Sequence, residues 1–201
     1  MKLLIAIPAQ DYIPCRFVEC LSRLQKHLTE TGVEHEVVFR TGALVYDSRE
    51  QIAAMARFEN YTHVLWLDSD MVFPADVFDR LSAHEKDFVT GICHARRKPY
   101  RSAIFSRLLP EAVRYSRTTY PDELFPIAGS GLACALTSVH MLREVKRKHG
   151  ILFLPSLAFG EDLAFCVRAA ECGIELFADP KVQIKHIGHI EIGSEDEIIG
   201  D

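Results

Sequence analysis

Short apolar runs alternate along the first half of the chain with segments whose apolar residues recur every three or four positions. Bounded apolar runs are typical of buried strands, and the longer recurrence is typical of helices with one buried face. The predicted strands are residues 3–7, 35–40, 62–67 and 87–93. Helices are predicted between them, and this alternation indicates a parallel sheet flanked by helices.

The predicted helices carry recognisable end signals. Pro14 precedes the first helix and Gly32 ends it, while residues 47–50 offer a capping box before the second, and Pro74 opens a third that ends at about His84. The first helix has one apolar face, formed by Phe17, Val18, Leu21, Leu24 and Leu28. The second carries Ile52, Ala53, Met55 and Ala56.

The second half of the chain is less regular. Residues 94–126 are rich in prolines, tyrosines and basic side chains, which predicts short strands or a loop. A strand over 132–137 then precedes a helix that Ser138 caps and that runs to about Lys148. The last helix begins at 160–162 and ends at Gly173. Strands are predicted over 174–178 and 182–186, followed by an acidic tail, 194–201.

Composition restricts the class of protein. The 201 residues are 48% hydrophobic, enough for one sizeable core, and the net charge of −5 gives no global attraction to nucleic acid or to an anionic membrane. The six cysteines form no C-x-x-C pair and are expected to be reduced core thiols. Since no apolar run reaches membrane-spanning length, we expect a cytoplasmic protein.

The charge of one segment is opposite to that of the whole. Residues 91–120 contain seven arginines and lysines against one glutamate, a local net charge of +6. Such a patch either meets an anionic ligand or belongs to a solvated loop. Peripheral contact of residues 94–117 with a membrane surface is a further possibility.

The strongest candidate for chemistry is Asp68-Ser69-Asp70, directly after the apolar run 62–67. Ligands of open α/β sheets bind beyond the carboxyl ends of such strands. In extended backbone, Asp68 and Asp70 point to the same side, so a divalent cation between them is the simplest way to relieve their repulsion. The alternative is that Asp68 or Ser69 only caps the helix opened by Pro74.

Other candidates for chemistry also have purely structural alternatives. Glu161 and Asp162 either stabilise a helix N-terminus or include a general base. Arg49, next to the predicted helix start, is an ordinary surface arginine or a phosphate ligand. His186 is a structural histidine, a zinc ligand together with His189, or a partner of Asp70 on a metal. Glycine-rich phosphate loops are absent, since Gly129-Ser130-Gly131 matches neither known pattern.

Six stretches, in order, resemble the metal-dependent glycosyltransferases of the GT-A fold, especially the bacterial and phage-encoded family 2-like members. These stretches are residues 5–8, 47–49, 62–74, 129–131, 160–166 and 186–188. The resemblance implies a Rossmann-like α/β fold with a mixed, mostly parallel sheet. It also implies one catalytic domain over 1–193, with a nucleotide-binding half (1–93), the basic region (94–126) and an acceptor half (127–193).

The resemblance also implies roles for individual residues. Asp68, Ser69 and Asp70 look like the D-x-D motif that holds ribose and Mn²⁺ or Mg²⁺, with His186 as a further metal ligand. Asp162 resembles the base that deprotonates the acceptor, with Glu161 beside it. The expected donor contacts are Pro8, Ala9, Gln10, Arg40, Arg49, Gly129 and Ser130.

The implied reaction moves a sugar from a nucleotide-sugar donor to a hydroxyl of a glycan, lipid-linked or protein acceptor, with inversion. Two features depart from the family: the chain ends soon after His186, and no acidic base-reading residue follows the second strand, where Arg40-Thr41 stands. Two other functions remain open, a nucleotidyltransferase and a non-catalytic module that binds nucleotide sugars or glycans. A phosphohydrolase fits less well, because Pro8-Ala9-Gln10 stands where its nucleophilic aspartate is expected.

Overall fold

A computed structural model describes residues 1–96, 100–116 and 120–188. The helices are α1 (Cys15–Glu30), α2 (Val45–Phe58), α3 (Val77–Ser82), α4 (Val139–His149) and α5 (Glu161–Glu171). The strands are β1 (Lys2–Pro8), β2 (Glu34–Arg40), β3 (His63–Leu67), β4 (Met71–Val72), β5 (Phe88–Ile92), β6 (Ile104–Arg107), β7 (Val113–Arg114), β8 (Phe125–Ile127), β9 (Gly129–Ser130), β10 (Cys134–Ser138), β11 (Leu176–Gln183) and β12 (Lys185–His186).

The centre of the fold is a seven-stranded sheet in the order β2-β1-β3-β10-β5-β11-β8. Strands β1, β2, β3, β5 and β11 run in one direction, whereas β10 and β8 run in the opposite direction. The predicted mixed, mostly parallel α/β sheet is therefore confirmed. The unbroken parallel order expected for the first four strands is wrong at one point, because β10 lies between β3 and β5.

Both faces of the sheet are covered. Leu4, Ala6 and Trp66 contribute to one buried cluster, which also contains apolar residues of α2, α4 and α5. On the other face, Ile5 and Leu65 belong to a second cluster that includes apolar residues of α1 and α3. Alternate residues of β1 and β3 thus serve opposite layers, which explains why these strands are apolar throughout.

Several helix predictions need correction. Val18 is 46% exposed, so it does not belong to the buried face of α1. Helix α2 begins at Val45 without a side-chain cap, so residues 47–50 lie inside the helix and form no capping box. The third helix is shorter than expected: Pro74 lies outside it, and it starts at Val77. The predicted cap of α4 is confirmed, since Ser138 Oγ accepts a hydrogen bond from the Met141 N–H at 3.0 Å.

In the irregular second half, the described part of residues 94–126 contains short strands, which is one of the two predicted alternatives. Strands β7, β6 and β9 form a small separate sheet, and β8 lies at the edge of the central one. The two strands expected over 174–186 are one longer strand, β11, with an irregularity between Asp179 and Gln183, followed by the short β12. Strand β12 pairs with β4, which brings His186 opposite Met71.

The six cysteines are all free, as expected, but not all of them are core residues. Cys15 is exposed and Cys172 is partly exposed, while Cys20, Cys93, Cys134 and Cys166 are buried. Within the described ranges, no helix is both long and apolar enough to cross a membrane. The acidic tail, His189, and three basic residues of the charged patch, namely Arg97, Lys98 and Arg117, lie outside the described residues.

Candidate active site

Asp68 and Asp70 lie in a tight turn rather than in extended backbone. The Asp68 N–H donates to the Ala133 carbonyl at 3.0 Å, and the Met71 N–H donates to the Asp68 carbonyl at 3.2 Å, which closes the turn. The expectation that the two carboxylates share one side of an extended strand is therefore wrong. The capping alternative is also wrong, because α3 begins only at Val77. Each aspartate has its own set of partners.

Asp68 pairs with Arg49, which is only 2% exposed and is therefore not a surface arginine. Arg49 Nη2 donates to Asp68 Oδ1 at 2.7 Å, and Nη1 donates to Glu161 Oε1 at 2.5 Å. A buried guanidinium needs such carboxylate partners to offset its lost hydration. Arg49 thus connects the end of β3 to the start of α5, a contact that sequence spacing could not indicate.

Glu161 and Asp162 occupy the first turn of α5, as predicted. Burial raises the pKa of both carboxyl groups, and the Arg49 guanidinium opposes this rise. The Asp162 Oδ1 atom accepts the Leu163 N–H at 2.7 Å. The other oxygen, Oδ2, is 3.5 Å from the point where a side chain would begin at Gly131. A carboxylate with a raised pKa is a stronger proton acceptor, which suits a general base.

Asp70 pairs with His186, whose Nε2 lies 3.2 Å from Asp70 Oδ2. The His186 Nδ1–H donates to the His94 carbonyl at 3.0 Å, and in the charged ring the Nε2–H donates to Asp70. Burial favours neutral imidazole, but the hydrogen bonds to Asp70, Cys93 and the His94 carbonyl outweigh it and raise the pKa of His186 to about 10. Asp70 also forms an ion pair with Arg96, with 2.9 Å between Asp70 Oδ2 and Arg96 Nη1.

The side chains fit a divalent metal only in part. Carboxylate oxygen and imidazole nitrogen are suitable donors for Mn²⁺, and the Asp70 and His186 donor atoms face each other. Asp68, however, is turned toward Arg49. In the part of the chain that the structure describes, no three His, Cys, Asp or Glu side chains are grouped so that they could hold one ion. Of the three predicted metal ligands, Asp70 and His186 thus lie together, whereas Asp68 is held apart from them by Arg49.

The predicted nucleoside contacts lie together at the ends of β1 and β2. Pro8 is paired with Arg40 in the parallel register, and the Ala9 N–H donates to the Arg40 carbonyl at 2.9 Å. Gln10 and Arg40 are exposed, so both side chains are accessible to a ligand. Their roles stay predictions.

Gly129 and Ser130 are in strand β9 rather than in the expected turn. A side chain at Gly129 would meet Leu108, Cys166 and Leu163 at 2.9 to 3.3 Å, so this glycine allows β9 to pack against α5. Ser130 is fully buried, and its hydroxyl has no hydrogen-bond partner among the described residues. Of this segment, Gly131 is the residue that lies against Asp162.

Three arginines near these groups had no individual role in the sequence analysis. Arg96 contacts Asp70, while Arg101 and Arg114 line a cavity of about 520 Å³. The only sequence signal for them was the basic charge of residues 91–120. Charge counting could locate the segment but could not indicate which arginine faces which group.

Comparison of the folds decides the architectural class. One solved structure, A197 from STIV, has a TM-score of 0.66 and 20% sequence identity, with coverage of 95% of this chain and 87% of that one. GalNAc-T7, determined with UDP, GalNAc and Mn²⁺, has a TM-score of 0.61 and 11% identity, with coverage of 100% and 46%. The catalytic domain of Drosophila β1,4-galactosyltransferase 7, in complex with xylobiose, has a TM-score of 0.58 and 13% identity, with coverage of 94% and 71%.

The chain has the GT-A fold. At these identities the likeness concerns the fold alone, and the chain spans 46% of the GalNAc-T7 chain that it matches. No protein-family model matches the sequence, and no curated protein sequence matches it significantly. Within the GT-A fold, the cluster around Arg49 and the Asp70–His186 pair are the described side chains best suited to chemistry.

Proposed function

We propose that this chain is a glycosyltransferase that moves a sugar from a nucleotide-sugar donor to an acceptor hydroxyl, with inversion at the anomeric carbon. The observation that carries the proposal is the meeting of Asp68 and Glu161 on the buried Arg49, next to Asp162, in a GT-A fold. In this proposal residues 1–93 form the donor half of a single catalytic domain, and residues 127–193 form the acceptor half.

The donor side is assigned to the ends of β1, β2 and β3. Arg40 and the residues after β1 would border the nucleoside, and Asp70 and His186, together with Asp68, would hold Mn²⁺ or Mg²⁺. Bound there, the ion would supply Lewis-acid stabilisation of the negative charge on the departing nucleoside diphosphate. The presence of UDP and Mn²⁺ in the GalNAc-T7 structure supports this class of donor and metal.

Asp162 is the proposed catalytic base. Its carboxylate accepts the proton of the acceptor hydroxyl as that oxygen forms a bond to the anomeric carbon. The bond between the anomeric carbon and the β-phosphate oxygen breaks, and its electron pair leaves with the nucleoside diphosphate. The raised pKa of Asp162 supports this role, because the group then holds the transferred proton more readily. Glu161, held by Arg49, acts as a positioning residue at the start of α5.

The proposal is tested in two stages. A thermal-shift panel of nucleoside diphosphates and nucleotide sugars, with and without Mn²⁺, is expected to give a metal-dependent rise in Tm for at least one nucleotide, because a ligand that binds only the folded state stabilises it. Release of the nucleoside diphosphate from the stabilising nucleotide sugar then measures turnover. Asp162→Asn is expected to abolish turnover and to keep the nucleotide-dependent shift, whereas Asp122→Asn, at an exposed carboxylate, serves as the matched control.

Other outcomes identify other functions. Nucleotide binding without turnover by the wild-type protein indicates a binding module, and consumption of a nucleoside triphosphate with pyrophosphate release indicates a nucleotidyltransferase. If no nucleotide changes the Tm when Mn²⁺ is present, the assignment of the donor site is wrong.

A further inference from the structure

The cavity beside strands β6 and β7 is lined by cationic and aromatic side chains. Its lining includes Tyr100, Arg101, Phe105, Arg114 and Tyr115, around a volume of about 520 Å³. A space of this size is within the range of small-ligand sites. Aromatic rings offer flat apolar surfaces to the apolar face of a sugar ring, and guanidinium groups bind carboxylate and phosphate oxygens in a bidentate manner.

Among the described residues, Arg101 and Arg114 of this cavity form no ion pair with a carboxylate, although the chain as a whole is acidic. Arg114 is held in place: its Nη1 donates to the Ser102 carbonyl at 2.5 Å, and its guanidinium lies 4.2 Å from the centre of the Phe105 ring. Arg101 and Arg114 line the same cavity, and burial together with the nearby Arg101 lowers the pKa of Arg114.

A short series of contacts leads from the cavity lining to the proposed catalytic base. Ser102 lines the cavity, and its neighbour Ala103 accepts the Gly131 N–H at 3.2 Å. Gly131 in turn lies against both Ala103 and Asp162, since a side chain there would start 3.7 Å from the Ala103 Cβ and 3.5 Å from Asp162 Oδ2. Asp162 also acts electrostatically on Arg114. Ala103 and Gly131 thus connect the cavity lining to Asp162, which does not itself line the cavity.

We infer that this cavity binds an acceptor saccharide that carries an anionic group, a carboxylate or a phosphate, with Arg101 and Arg114 as the ligands of that group. This inference rests on the proposed function and names the acceptor class for the same site. The oxyanion binds the two guanidiniums, a sugar ring packs against Tyr100 or Tyr115, and a hydroxyl of the same molecule faces Asp162.

Saturation-transfer difference NMR compares three probes on the full chain: D-glucose, D-glucuronate and D-glucose 6-phosphate. We expect at least about tenfold tighter binding of one acidic probe than of glucose, since charge-assisted bidentate pairs are roughly twice as strong as neutral hydrogen bonds. The two acidic arms distinguish a carboxylate from a phosphate. Arg101→Gln and Arg114→Gln are each expected to reduce this preference, and Arg23→Gln, an exposed arginine on α1 that pairs with Glu19, serves as the control of equal charge.

Arg101→Gln keeps the test decisive if Arg114→Gln fails to fold, because Arg114 also supports the β6–β7 hairpin. Equal binding of the acidic and neutral probes, or a preference that both cavity variants retain, overturns the inference. Failure of the proposed function has a different signature: the wild-type protein then gives no Mn²⁺-dependent nucleotide shift. A protein that binds the nucleotide and shows no preference for acidic sugars refutes the acceptor class alone.

Discussion

Replacement of Arg49 by methionine tests whether the buried guanidinium organises the site. The Arg49 side chain is 3% exposed, and its partners Asp68 and Glu161 are 35% and 18% exposed. Removing one member of a buried ion pair costs about 3–5 kcal/mol, because the remaining charge is left without a partner. Since Asp68 retains access to water, we expect a loss near the lower limit, about 3 kcal/mol. For a domain of this size, that loss lowers the Tm by roughly 10 °C.

The loss should also depend on pH. Arg49 is the largest influence that opposes the burial of Glu161, so without it the pKa of Glu161 rises further. The variant is then destabilised by an ionised, unpaired carboxylate at neutral pH and not when that group is protonated. The difference in the free energy of unfolding between wild type and Arg49→Met is therefore expected to be larger at pH 8 than at pH 5. Urea denaturation at both pH values measures it.

A second substitution separates charge from packing. Glu161→Gln in the Arg49→Met background removes one unpaired charge and is expected to recover part of the stability, and the four proteins form a double-mutant cycle. Arg23→Met, at an arginine whose side chain is 63% exposed, is the control and should change stability by less than about 1 kcal/mol. A loss below about 1 kcal/mol for Arg49→Met, equal at both pH values, would refute the role given to this residue.

Three further predictions concern other groups. Burial alone would raise the pKa of Glu50, but hydrogen bonds from the Lys146 ammonium and two backbone N–H groups lower it below 4.5. Glu50→Gln should therefore reduce the free energy of unfolding at pH 7 and have less effect as the pH falls through that lowered pKa. Urea titrations at several pH values check this. Burial raises the pKa of Asp162 above 3.8, and the base must be ionised to accept a proton. Turnover should therefore fall as the pH decreases, with a midpoint above 3.8, and the pH profile of donor turnover measures this midpoint. Arg96→Gln should tighten Mn²⁺ binding about two- to fivefold in a direct metal titration, because an exposed ion pair no longer competes for Asp70.

The sheet could be predicted from the sequence because its strands carry local signals. The runs at β1, β3 and β5 are apolar on both faces, as strands covered on two sides must be. The position of β10 could not be predicted in the same way. Its residues are as apolar as those of its neighbours, and nothing in that pattern tells which two strands it will separate or in which direction it will run.

The candidate site was predictable residue by residue but not as an arrangement. Asp68, Asp70 and Asp162 stood out because they follow a buried strand or open a helix. The pairing of Arg49 with Glu161 joins residues 112 positions apart, and that of Asp70 with His186 joins residues 116 positions apart. The assumption of extended backbone at Asp68 failed because a local turn, closed by the Met71 N–H, ends the strand there. Strand β4 follows this turn directly and pairs with β12, and no local pattern indicates that pairing.

The side chains of Asp68 and Asp70 therefore contact different parts of the fold, although only one residue separates them in the sequence. Asp68 is linked through Arg49 to the start of α5, where Asp162 lies, while Asp70 is linked through His186 to β12 and through Arg96 to the basic segment. A cation bound at Asp70 and Asp68 would have to compete with both Arg96 and Arg49. Any displacement of Arg49 would change the only cationic contact of Glu161 among the described residues, next to the proposed base. In the proposed enzyme, occupancy of the metal site and the ionisation of Asp162 would thus be coupled through the Arg49 guanidinium, and Arg49→Met should weaken the dependence of the Asp162 titration on Mn²⁺.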